Sequence, residues 1–376
     1  MNTAYRPPLW LLTLLIMFPQ LVETVYSPAL PDIAHFFHVS SERAAQTLSV
    51  YFVAFAVGVA LWGWLSDCIG RRPAMIAGIF CYGAGCALAM VVSDFNMLLL
   101  ARILSAVGAA AGSVVVQTML RDCYESVALA RVFSVMGSAL AVSPVIGLVS
   151  GGWLVNQYGH TGIFFALVLL AVLLLILTAI LLPETRPQNT QKAYREPRLA
   201  LRMVRDGSLW KNAMLIALLN TMLFSYYSLA PFLFETLGWS SGDFGWTGFI
   251  LALASLSGSL LNRRLLTTGL TAEQLVHCAC LMALLSGLVA WWLQYSAWIL
   301  LPVAGVVVCY GIAIPNVLSQ ALRNYRDQAG AAGALFGLSY YSLLGMMLAL
   351  SSVLQQLGLV LALCALTAWL FSLSRN

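Results

Sequence analysis

The chain has 376 residues, 61% of them hydrophobic and 9% charged, with a mean hydropathy of +0.88 and a net charge of +5. Such proportions exclude an ordinary soluble domain. The basic excess is not that of a nucleic-acid binder either, because the lysines and arginines are scattered through short loops.

Only Arg6 precedes an apolar run that continues to about residue 30, which is too long for a signal-peptide core and predicts a retained first span. Hydropathy and turn residues predict spans near 8–31, 44–66, 73–92, 96–119, 130–155 and 161–183, and again near 208–235, 243–262, 271–293, 297–319, 329–350 and 354–373. Twelve spans at about 20 residues each account for the hydrophobic content. Between the two sets lies the one long polar segment, from Glu184 to Asp206, with room for a short interfacial helix. The chain therefore divides into a six-helix bundle over 1–186, a linker over 187–207 and a second six-helix bundle over 208–376. The fold class is all-α polytopic membrane protein.

Loop charges fix the orientation. With both termini inside, every basic residue of the 19 except Arg43 and Arg102 falls on the cytoplasmic side. The eight cysteines show no CxxC pair, and those within spans, such as Cys81, Cys86, Cys309 and Cys364, read as small core residues. His35 and His38 stand beside Asp32, an incomplete metal ligand set, so no metal is expected. No GxxxxGK[ST] loop exists, and the only lysines, Lys192 and Lys211, lie at the linker. Energy must then come from an ion gradient or another subunit. No catalytic constellation is visible, so an enzyme is not expected.

Residues 63–73, GWLSDCIGRRP, form a charged turn between the second and third spans. Gly63 and Gly70 allow close backbone approach, and Pro73 suits a helix start. A fainter echo, Gly258 to Asn262 followed by Arg263 and Arg264, follows the eighth span and suggests an internal repeat of the kind transporters use.

The turn resembles the loop signature of the major facilitator superfamily, in which glycine, leucine and aspartate precede a glycine and paired basic residues. Arg102 with Gly108, Ala109 and Ala110 resembles that family's fourth-span arginine motif. Pro144, Gly147, Gly151 and Gly152 are similar to its fifth-span antiporter motif, and Pro183-Glu184-Thr185-Arg186 is common in its drug:proton branch. Tyr26-Ser27-Pro28-Ala29-Leu30-Pro31 and Arg121-Asp122 resemble the bicyclomycin and chloramphenicol resistance group. The resemblance implies twelve helices in two pseudo-symmetric bundles, a proton gradient in place of a cofactor, and small amphipathic substrates. It places the chain in the bacterial inner membrane, as a monomer. Cys68, Ser105, Ala106 and Ser143 depart from the family's usual residues.

Glu23 is the leading candidate for chemistry, because an ionisable group at membrane depth is costly and marks function. It shares a helical face with Gln20, Thr24 and Ser27. A proton and a cationic substrate competing for one carboxylate would give antiport. Arg102 is the candidate partner. The resemblance assigns Asp67, Arg71 and Arg72, with Gly63 and Gly70, to a cytoplasmic gate in which Asp67 meets the start of span 11 at Ala329–Gly333. Gln20, Thr24, Asn220, Tyr227, Asn316 and Tyr340 are candidates for a substrate cavity, since a few polar and aromatic groups at mid-depth suit amphipathic ligands. Three readings follow: a proton-coupled exporter of amphipathic small molecules, an exporter or importer of one metabolite or siderophore, and a polytopic membrane sensor.

Overall fold

A computed structural model describes residues 7–124, 126–186 and 197–373. Arg6, Lys192, Arg195, Glu196 and Arg375, which the sequence places in the termini and linker, lie outside the described residues. The described chain is helical: α1 Leu9–Tyr26, α2 Leu30–Phe36, α3 Ser41–Ile69, α4 Arg71–Val91, α5 Phe95–Cys123 and α6 Ser126–Leu181, then α7 Pro197–Val204, α8 Gly207–Thr236, α9 Ser241–Thr267, α10 Ala272–Trp292, α11 Leu300–Ala321, α12 Ala329–Leu354 and α13 Leu357–Leu373.

Two of the expected boundaries change. The first span is not one helix, because Ser27-Pro28-Ala29 tightens into a 3₁₀ turn between α1 and α2. Spans 5 and 6 run together in α6, broken only at Gly159, whose φ of +65° a side chain rarely adopts. Asp32 stabilises this break by accepting the His160 backbone N–H at 2.7 Å and lying 2.7 Å from its Nδ1. It thus serves the start of span 6 as an N-cap from a different helix. With α6 counted as two spans and α1–α2 as one, twelve helices cross the bilayer among the described residues.

Ends are set by side chains. Asp94 caps α5, Asp206 caps α8, and Ser240 with Asp243 and Thr271 with Gln274 form capping boxes on α9 and α10. α7 occupies part of the linker, where Trp210 Nε1 donates to the Val204 carbonyl at 3.0 Å. Phe80, Ile180 and Trp292 are 67%, 73% and 84% exposed, so the outer surface is as apolar as the interior, as lipid requires.

The halves are related at a spacing of 200 residues. Tyr26 donates to Thr47 Oγ1 at 3.0 Å, and Tyr226 donates to Thr247 Oγ1 at 2.7 Å. Ser40 and Ser240 cap equivalent helices. Gly58 packs on the Val107 carbonyl as Gly258 packs on that of Val308. This register corrects the expected echo: Gly258 corresponds to Gly58, not Gly63. Asn262 stands where the first half has Trp62, and both join their helix to the next-but-one. Trp62 donates to the Val107 carbonyl at 2.6 Å, and Asn262 accepts from Asn316 at 2.7 Å. The halves meet along α3 against α12 and α6 against α9. Arg71, Arg72, Arg121, Arg186, Arg202, Arg205, Arg263, Arg264 and Arg323 all sit at helix ends on one side, the basic end; Asp32, Asp94, Glu235 and Asp243 lie at the opposite end.

Candidate functional site

Glu23 and Arg102 meet inside the first bundle. Their side chains are 2% and 1% exposed, and Arg102 Nη2 donates to Glu23 Oε1 at 2.8 Å and Oε2 at 3.1 Å. Small residues on α5 permit this closeness. Gly112 lies against the Leu15 carbonyl of α1 and Gly108 against the backbone of Tyr82 in α4, where any side chain would collide. The guanidinium lies over two rings, 4.0 Å from the Tyr26 centroid and 4.4 Å from that of Tyr51. An ion pair out of water needs such additional contacts to offset its desolvation.

Glu23 also forms part of the wall of a cavity of about 190 Å³ between the two halves. Gln20, Tyr51, Ser113 and Gln117 line it from the first half, and Asn220, Phe224, Tyr310 and Tyr341 from the second. Tyr310 donates to Asn220 Oδ1 at 3.1 Å, which fixes the amide in the wall opposite the carboxylate. Of the sequence candidates for this cavity, Gln20 and Asn220 line it. The other four are occupied elsewhere. Thr24 donates back to the Gln20 and Leu21 carbonyls and packs on Gly147. Tyr227 is wholly buried behind the wall, and its carbonyl accepts from Ser27. Asn316 pins α11 to α9 through Asn262, and Tyr340 packs on Tyr341 and Phe336. Tyr51, Ser113, Gln117 and Tyr310 were not legible as lining residues. Ser113 and Gln117 do stand one turn apart on α5, a polar stripe that the fourth span's hydropathy masks.

At the basic end, the charged turn closes on itself. Gly70 has φ +106°, and a side chain there would strike the Glu184 carboxylate. Arg71, 3% exposed at its side chain, pairs with Asp67 and, through Nε, with Asp122 at 3.0 Å. Glu184 accepts the backbone N–H of Arg71 at 2.9 Å and of Arg72 at 3.1 Å, capping α4 from the end of α6. Arg72 reaches the Ala179 carbonyl. Gly63 is buried in α3 one turn before Asp67. The cation that the family carries after the aspartate is absent at Cys68, but Arg186 Nη1 bonds the Cys68 carbonyl at 2.9 Å. Asp67 is held by Arg71. The residue facing α12 at Gly333 is Arg121, whose Nη1 lies 3.5 Å from where a Gly333 Cβ would sit.

The small residues of span 5 divide between two neighbours. Gly147 and Gly151 lie against Thr24 and the Val25 carbonyl of α1, while Gly152 lies against Ser241 of α9 and the Pro144 carbonyl against Gly248. Besides this packing, three polar contacts join the halves toward the end opposite the basic one: Ser27 donates to the Tyr227 carbonyl, Ser228 donates to that of Ala45, and His35 Nε2 lies 2.9 Å from Glu235 Oε1.

This arrangement, two six-helix bundles around a central cavity, has solved counterparts. A D-xylose-proton symporter superposes with a TM-score of 0.73 at 16% identity, covering 96% of this chain and 97% of that one. In sequence the chain is 29% identical to an uncharacterised transporter of Rickettsia bellii, covering 92% of this chain and 89% of that protein. It is 27% identical to multidrug resistance protein D of Escherichia coli K12, covering 93% and 89%. The family model described as Major Facilitator Superfamily matches residues 10–350. Fold, cavity and relatives agree on a multi-pass membrane transporter rather than an enzyme, and the chain belongs to the Major Facilitator Superfamily.

Proposed function

We propose that the chain is a proton-coupled exporter of amphipathic small molecules that works by alternating access in the bacterial inner membrane. The positive-inside rule puts the basic end, and with it the charged turn, in the cytoplasm. The observation that carries the reading is the buried Glu23–Arg102 pair with Glu23 in the wall of the cavity. A carboxylate that meets both a cavity and a fixed cation can hold a proton or a cationic substrate, and one excludes the other. The aromatic wall of Tyr51, Phe224, Tyr310 and Tyr341 suits flat or bulky apolar groups with few obligatory hydrogen bonds. The relationship to a protein named for multidrug resistance points the same way.

Membrane vesicles with an imposed pH gradient test the reading. Adding substrate should release protons from the wild-type protein, and Glu23→Gln should abolish that release. Unchanged coupling in Glu23→Gln removes Glu23 from the mechanism. A resistance screen over many compounds then distinguishes the broad exporter from a single-metabolite carrier, since protection confined to one chemical class favours the carrier.

A further inference from the structure

The two tyrosines around Arg102 do more than fill space. A guanidinium whose carboxylate partner becomes protonated at membrane depth is left as an uncompensated cation, a costly state. Arg102 would then leave the site or resist protonation of Glu23, unless another group held its charge. We propose that Tyr26 and Tyr51 form an aromatic clamp that holds the Arg102 cation in place while Glu23 is protonated or engaged by substrate. The tyrosines thereby act as positioning residues for coupling. The inference rests on the export reading for its use, but not for its chemistry.

Geometry supports the clamp in three ways. Both ring centroids lie within the distance at which a cation over a ring is attracted. Both rings are themselves held by contacts independent of Arg102. Tyr26 is anchored by its hydroxyl to Thr47, and Tyr51 stacks on Phe55 at 6.1 Å between centroids. The second half supplies an internal control. Tyr226 bonds Thr247 in the same way, yet Leu223 and Pro302 stand 200 residues on from Glu23 and Arg102. The tyrosine–threonine bond is therefore a property of the repeat, and the arginine has been placed against a ring already fixed. Only Glu23 and Tyr51 reach the cavity wall, so the clamp keeps the cation behind the carboxylate and out of the substrate's path.

The titratable groups facing the pair are Tyr26 of α1, Tyr51 of α3, and Tyr82 and Cys86 of α4. The rings attract the guanidinium whatever the state of Glu23, so they supply the contact that remains to Arg102 when the carboxylate is neutralised.

The test is solid-state NMR of the Arg102 guanidinium in the full-length protein in liposomes, with Glu23→Gln standing for the neutral carboxyl. Glu23→Gln alone should keep an ordered Arg102 side-chain signal, and adding Tyr51→Leu should lose it, while Tyr51→Leu with Glu23 intact should keep it. In the Glu23→Gln protein, Tyr51→Phe should keep the signal, and pentafluorophenylalanine at 51, which keeps the shape but reverses the ring's field, should lose it. A signal retained in the Tyr51→Leu and fluorinated variants of Glu23→Gln overturns the clamp, as does its loss in Tyr51→Phe, which would assign the hold to the hydroxyl. In the same liposomes, wild-type protein should release protons on addition of tetraphenylphosphonium. Failure of that release overturns export of amphipathic cations while leaving the NMR result on the clamp intact.

Discussion

Arg71 lies between two carboxylates with almost no exposure, pairing with Asp67 on the preceding turn and with Asp122 at the end of α5. Removing it leaves two acidic groups facing each other in a partly buried site, whereas removing either aspartate leaves one ion pair. Breaking a buried pair by deleting one partner costs about 3–5 kcal/mol. Arg71→Ala is therefore expected to lower the thermal stability of the purified protein well beyond the effect of Asp67→Asn or Asp122→Asn. Arg71→Lys should recover only part of it, since a single ammonium cannot serve both carboxylates in the directions a guanidinium does. A thermal-shift series on the four variants checks the order. Arg72 is exposed, with its guanidinium on a backbone carbonyl, and Arg72→Ala should fall within about 0.5 kcal/mol of wild type.

Span 5 shows how one helix can serve two purposes with two faces. Gly151 packs within a bundle, against the Val25 carbonyl, while the adjacent Gly152 packs between bundles, against Ser241. A side chain at Gly151 must push α1 and α6 apart, with an overpacking cost of about 1–3 kcal/mol. At Gly152 it must push the two halves apart, which alternating access allows. Gly151→Val should thus lower stability, while Gly152→Val should shift the protein toward the outward-open state at little cost in stability. Labelling of a cysteine at Ser113 by a membrane-impermeant reagent from the outer side should rise for Gly152→Val only. Some of this was legible in the sequence. Glu23 and Arg102 are visible because charge is rare in an apolar helix, and the helices themselves follow from hydropathy. The cavity residues were not, because which tyrosine of a span faces inward depends on a rotation that uniformly apolar helices do not encode. Tyr51 and Tyr82 look alike in sequence, and only Tyr51 reaches the cavity. The break after Tyr26 was hidden because Ser27-Pro28-Ala29 does not interrupt the hydropathy. The register of 200 residues rests on single side chains such as Thr47 and Thr247, which composition cannot single out.

The end opposite the basic one is closed by the packing of α6 on α9 and by three polar contacts, two donated by serines to backbone carbonyls and one between exposed side chains. None of these polar contacts is strong. His35 and Glu235 are 73% and 43% exposed at their side chains, and exposed pairs contribute about 0–1 kcal/mol. Such weakness suits a carrier, because a closure worth many kcal/mol would trap the protein in one state. His35→Ala should accordingly change transport less than about fivefold, the equivalent of 1 kcal/mol. A covalent tie at the same place should act quite differently. α2 and α8 must separate there if the cavity is to open outward, and no thermal fluctuation breaks a covalent bond. In an otherwise cysteine-free protein, cysteines at 35 and 235 joined by a short cleavable cross-linker should stop transport while leaving substrate binding from the cytoplasmic side intact. Cleaving the linker should restore transport. Full transport in the cross-linked protein would mean that the bundles do not part at this end, and alternating access about the central cavity would have to be abandoned.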